Sequence, residues 1–232
     1  MEKAIIKGNG KERRTVLVLM PKQAGYKDKV LAYLSRSIGQ NVTINAIRHD
    51  LGLSYGSLHL TIRKLHEEKI INIEEIGNYK LISLNFKNML TISELARISV
   101  KISQEIISQN KKLRKLSSLI EILRVYKEIL SVVLFGSQAR QMQHEKSDID
   151  ILVILGAESK KNRPLINKIK VDIMAFGTKE FLQIQSFIVD YQIFKNMLKS
   201  KEEINVGKEA LKDGIVLEGY ENYWKMIGEI LE

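Results

Sequence analysis

A chain of 232 residues has room for one large domain or two small ones, each with a buried core. It is 44% hydrophobic and 28% charged and has no cysteine, which excludes disulfides, cysteine-ligated zinc and thiol nucleophiles together. No apolar run reaches the roughly 18 residues of a membrane span, and residues 1–14 lack a signal-peptide core, so a cytoplasmic protein with no membrane partner is expected. The net charge of +10 is uneven: +7 over residues 1–88, +4 over 89–129 and −1 over 130–232. A basic front half points to a polyanionic partner, most simply nucleic acid.

Residues 1–22 read as an N-terminal arm in which the apolar run at 16–20, stopped by Pro21, is a strand or a packed arm. Residues 23–88 then read as three helices and a hairpin. Val30, Leu31, Leu34 and Ile38 recur at helical spacing and Gly39 ends the first helix. Thr43 caps a second helix carrying Ile44, Ile47 and Leu51, closed by Gly52. Ser54 caps a third with Leu58, Ile62 and Leu65 on one face. Residues 70–76 and 79–84 alternate around Gly77-Asn78, a two-residue hairpin signal.

Residues 89–128 form a helical linker in this reading. A row from Ile92 through Leu95, Ser99, Ile102, Ile106, Gln109, Leu113, Leu116, Ile120 and Leu123 to Lys127 steps by threes and fours, near the 3.5 period of a seam. A continuous helix here spans on the order of 50 Å at 1.5 Å per residue. Two alternatives stay open: a spacer helix that also makes a homodimer, or ordinary packed helices.

Residues 129–232 carry an α/β pattern. Strands are expected at 129–135, 149–155, 169–176 and near 215–217. A short helix is expected at 137–142, a longer one from Thr178 through Leu198, and a closing helix at 221–231. Within this pattern lies a constellation of chemical interest. Side chains two apart on a strand share a face, so Asp148 and Asp150 project together while Ile149 and Ile151 enter the core. Paired carboxylates suit a hard divalent cation such as Mg²⁺, whose remaining sites go to water and phosphate. Asp172, between Val171 and Ile173, offers a third carboxylate. If its strand lies beside the first, the three make a cup for two metals about 3.5–4 Å apart. Gly136 permits close backbone approach and Ser137 opens a helix, a phosphate-receptive arrangement. The four histidines (His49, His59, His66, His144) show no metal-ligand spacing and read as surface or partly packed residues.

Gly136-Ser137-Gln138-Ala139-Arg140 followed by Ser147-Asp148-Ile149-Asp150 resembles the motif of the polymerase β nucleotidyltransferase superfamily, above all its minimal nucleotidyltransferases. The resemblance covers roughly residues 129–220, and it departs at Gln141, where the family has glycine. It implies transfer of a nucleoside monophosphate from an NTP to an acceptor hydroxyl. In that chemistry Asp148 and Asp150 hold two Mg²⁺ ions and Asp172 ligates the catalytic one. Gly136 and Ser137 receive the phosphates. Arg140 either neutralises phosphate charge or makes an ion pair under the turn.

Residues 51–58 and 65–71 of the front region resemble a winged helix-turn-helix of prokaryotic regulators, entering and leaving a recognition helix. That resemblance implies binding of double-stranded DNA, with Tyr55, Ser57, His59 and Arg63 off the apolar face as contacts; a protein-interaction role is the alternative. The expected fold class is thus a multi-domain α+β protein: winged helix-turn-helix, helical linker and mixed-sheet nucleotidyltransferase domain. Three functions are expected from it: a nucleotidyltransferase tied to a DNA-binding module, a regulator whose second domain only senses nucleotide or binds a partner, or an antitoxin that nucleotidylates a toxin partner.

Overall fold

The computed structural model describes residues 2–6, 16–20, 24–77, 79–140, 147–156, 163–201 and 204–231. Gln141 and His144 lie outside the described residues, as does Asn78 of the hairpin. The chain divides into two compact units, Met1–Ile98 and Ser99–Glu232. Helix and sheet are mixed, consistent with the α+β class.

In the first unit, strands β1 (Glu2–Ile6) and β2 (Val16–Met20) pair antiparallel. Helix α1 (Tyr26–Arg36) buries Val30, Leu31 and Leu34, the spacing expected of its apolar face. A short strand β3 (Val42–Thr43) leads into α2 (Ile44–Leu51). The Thr43 side chain accepts a hydrogen bond from the Ala46 amide at 3.2 Å, capping that helix. Gly52 closes it at φ +61°, a left-handed conformation that glycine adopts without strain. Helix α3 (Tyr55–Glu67) buries Leu58, Ile62 and Leu65; Ser54 stands at its N-terminus without making a side-chain cap. Strands β4 (Ile71–Ile76) and β5 (Tyr79–Leu84) form the hairpin, Ile76 opposite Tyr79, and the three-stranded order is β3-β5-β4.

The continuous helix expected over residues 89–128 is interrupted. Helix α4 (Met89–Gln109) runs across the division between the units and ends at Asn110. Asn110 is extended (φ −113°, ψ 113°), and its side chain accepts from the Lys112 and Leu113 amides, starting α5 (Lys111–Arg114). Helix α6 (Leu116–Leu123) follows. The apolar seam residues Ile92, Leu95, Ile102, Ile106, Leu113, Leu116, Ile120 and Leu123 are all buried within the chain. Polar positions on α4 are tied down within the second unit: Trp224 Nε1 donates to Ser99 Oγ at 2.9 Å, and Ser103 Oγ lies 2.8 Å from the Tyr220 hydroxyl.

The second unit is built on β6 (Ile129–Phe135), β7 (Ile149–Leu155), β8 (Ile184–Asp190) and β9 (Ile215–Glu218), ordered β8-β7-β6-β9. Strand β6 is antiparallel to β7 and β9, whereas β7 and β8 are parallel. Helices α7 (Gly136–Ala139), α8 (Arg163–Glu180), α9 (Tyr191–Lys199), α10 (Val206–Asp213) and α11 (Tyr220–Leu231) complete it.

Two elements differ from expectation. Residues 169–176 are not a strand but the middle of α8, and the stretch expected as a helix from Thr178 through Leu198 contains strand β8 before α9. The physical reason is periodicity. Ile169, Ile173 and Phe176, the buried residues of α8 within this stretch, recur at i, i+4 and i+7, a helical stripe that outweighs the β propensity of Val171-Asp172-Ile173. The helix also begins with Pro164 in its first turn, where a missing amide hydrogen costs nothing. A parallel pair needs a crossover between its strands, and α8 is that crossover.

Candidate active site

Strand β6 ends at Phe135 and the chain turns at Gly136, whose φ is +71°. The turn demands glycine twice over. An L side chain is strained at that angle, and a Cβ built there would overlap Asp150 Oδ2 and lie 3.1 Å from its Cγ. The Asp150 carboxylate therefore rests directly on the turn. Helix α7 has only four residues, too short for much of a helix dipole. Any phosphate-binding potential of this turn rests instead on the half-buried Ser137 hydroxyl, Gly136 being buried against Asp150.

Asp148 precedes β7 and is exposed; Asp150 is half-buried on it; Ile149 and Ile151 between and beyond them are fully buried. The two carboxylates lie close enough for their charges to interact. Burial raises the Asp150 carboxyl above its ordinary range, repulsion from Asp148 and Glu209 adds to this, and Arg140 offsets it in part. A divalent cation would relieve that repulsion, so the donor set of two adjacent carboxylates fits one such ion.

Arg140 takes the ion-pair role. Its Nη1 lies 3.1 Å from Glu209 Oε1 and 3.8 Å from Asp213 Oδ2, both on α10. Two residues absent from the sequence reading hold the carbonyl of Ser147, immediately before Asp148. Gln138 Nε2 donates to it at 3.2 Å, and Lys112 Nζ on α5 donates to the same oxygen. Gln138 Oε1 is buried without a partner. Gln138 occupies the variable position of the motif and Lys112 was read only as linker charge, so neither carried a local signal.

Asp172 does not join the pair. It sits on α8 and accepts a hydrogen bond from the Tyr126 hydroxyl, while the Lys168 ammonium lies 5.6 Å from the centre of the Tyr126 ring. Helix α8 packs on the opposite face of the sheet. Gly177 of α8 sits against Ile184 (a Cβ there would be 3.8 Å from Ile184 Cδ1). Ile184 is in register with Ile149, and both alternate with Asp150 and its register partner Gln185. Among the described residues no group of three or more His, Cys, Asp or Glu is placed to hold a metal.

A comparison with known families bears on the segment that contains the turn and the paired carboxylates. Residues 117–217 match the family model described as polymerase beta, nucleotidyltransferase. The matched stretch runs from within α6 into β9, encloses Gly136, Ser137, Arg140, Asp148 and Asp150, and supports a nucleotidyltransferase-type function. No curated protein and no solved structure matches the chain.

In the first unit, the four residues singled out for DNA contact all lie on α3. Tyr55 and Arg63 are exposed, and Ser57 and His59 are half-buried. The Tyr55 and His59 rings lie 4.1 Å apart, and Arg63 is 3.7 Å from Glu67. No helix among the described residues is long and apolar enough to cross a membrane.

Proposed function

We propose that the nucleotidyltransferase domain binds a nucleoside triphosphate with one Mg²⁺, and that the first unit is a DNA-binding winged helix-turn-helix, making the chain a nucleotide-responsive regulator. The observation that carries the first half is the Asp150 carboxylate resting on the Gly136 turn beside Asp148. Asp148 and Asp150 would hold the cation, which neutralises phosphate charge when bound. The Ser137 hydroxyl would take the phosphate oxygens. Gln138 and Lys112, through the Ser147 carbonyl, fix the approach of the chain to Asp148. Arg140, already engaged by Glu209 and Asp213, supports α10 rather than the phosphates.

The DNA-binding half draws support from the helix-strand-helix-helix-hairpin order with β3-β5-β4 pairing, and from the +7 charge of residues 1–88. In such a fold the exposed face of α3 enters the major groove. Exposed Glu74 and Glu75 on β4, the latter 2.9 Å from Lys80, keep the hairpin from hugging phosphate.

Transfer of the nucleoside monophosphate is the second reading, favoured by the family match over residues 117–217. Its acceptor would be a hydroxyl, including one on a partner toxin protein. Incubation with Mg²⁺ and labelled NTPs in a lysate of the source organism separates the two readings. Saturable nucleotide binding without label transfer supports the regulator. Label incorporated into an acceptor, and abolished in Asp148→Ala, supports the transferase. Arg63→Ala should weaken duplex DNA binding and flatten its salt dependence; unchanged binding would discard the DNA role of α3.

A further inference from the structure

We propose that Gln185 restricts this site to one divalent cation per bound nucleotide. The inference rests on the nucleotide-binding reading and deepens it. Strand β8 lies parallel to β7, and Gln185 is the register partner of Asp150, so the two side chains leave the same face of adjacent strands about 4.8 Å apart. Just before β8, the Gln183 carbonyl accepts a hydrogen bond from the Ile149 amide at 2.9 Å. The residue that the neighbouring strand sets beside Asp150 is thus a neutral amide. A second divalent ion, held about 3.5–4 Å from the first, repels it strongly and needs additional negative charge at its own ligands. An amide oxygen can ligate but brings no charge.

Among the described residues, five further carboxylates of the unit already have partners. Asp172 lies across the sheet with Tyr126. Glu209, which lies near enough to repel Asp150, is neutralised together with Asp213 by Arg140. Glu180 is 3.2 Å from the Lys115 ammonium. Asp190, at the far end of β8 opposite Leu155, caps α9 through the Ile193 amide. Gln185 itself is exposed on the edge strand of the sheet, so a change of charge there meets water and not the core.

The test counts Mn²⁺ bound to the full chain by electron paramagnetic resonance, with a non-hydrolysable ATP analogue at saturation. The wild type binds one ion. Gln185→Glu, equal in size to glutamine, and Gln185→Asp bind two, the second at least tenfold more tightly than any further ion on the wild type. Gln185→Asn binds one. Two ions on the wild type overturn the proposal, as does a count of one on both acidic variants when each retains the wild-type melting temperature. If one acidic variant misfolds, the count on the other decides. A wild type that binds neither the analogue nor Mn²⁺ refutes the nucleotide-binding reading itself, and the proposal with it; analogue bound with two ions refutes the proposal alone.

Discussion

Strand β7 and helix α8 begin from nearly the same local sequence. In one, Asp150 lies between Ile149 and Ile151; in the other, Asp172 lies between Val171 and Ile173. The first is a strand whose aspartate meets the Gly136 turn. The second is a helix whose aspartate meets Tyr126 on the other face of the sheet. A three-residue pattern of aspartate among branched aliphatics is compatible with both. What separates them is the longer record of burial. Leu152, Val153, Ile154 and Leu155 extend β7 as a run buried on both faces, whereas Val171 and Met174 on α8 are 61% and 68% exposed between buried Ile169, Ile173 and Phe176.

The hardest blow to this comparison comes from proline. Asp172→Pro in the interior of α8 should cost about 3 kcal/mol or more, read as a lowered urea midpoint; a change under about 1 kcal/mol would mean that the segment is not helical.

Function should divide along the same line. Asp148→Ala is expected to weaken Mg²⁺-dependent NTP binding by about 100-fold, roughly 2.7 kcal/mol, measured by calorimetry. Asp172→Asn should leave that affinity within about twofold. Equal losses in both variants would place Asp172 back among the ligands.

Gly136→Ala tests the turn between them. The left-handed backbone at φ +71° should cost about 1–2 kcal/mol of stability, and displacement of Asp150 should remove cation-dependent binding. An alanine variant that binds normally would sever the turn from the site.

Charge at Asp150 gives an effect of fixed sign. Its carboxyl titrates above the unfolded value because of burial and then repulsion from Asp148 and Glu209. The native state therefore holds this proton more tightly, and stability falls as pH rises through the window between the unfolded and folded values. Without divalent ions, Asp150→Asn should melt higher than wild type at neutral pH and lose that advantage under acid. Lower stability at neutral pH would contradict the repulsion.

The smallest expected effect is the sharpest on secondary structure. Val171→Ala on the exposed face of α8 should stabilise by about 0.5 kcal/mol, because alanine is the better helix former; on a strand the same change destabilises.

Local signals were sufficient for much of the molecule. Thr43 as a cap, Gly52 as a stop, the Leu58/Ile62/Leu65 stripe and the 76–79 hairpin were legible because caps, turns and amphipathic faces are written within a few residues. The break at Asn110 was also local but overlooked: an asparagine able to cap a new helix interrupts a seam that otherwise runs on. The sequence by itself determined that Asp150 points away from the core that takes Ile149 and Ile151, since side chains alternate along any strand, and that Gly136 must turn the chain. Only the tertiary structure decided which strand lies beside β7, and so that Gln185 neighbours Asp150, that Asp172 faces Tyr126 and that Arg140 belongs to Glu209 and Asp213. Strand pairing joins residues 35 apart through backbone hydrogen bonds that carry no side-chain signature, and the local sequence has no means of naming its partner.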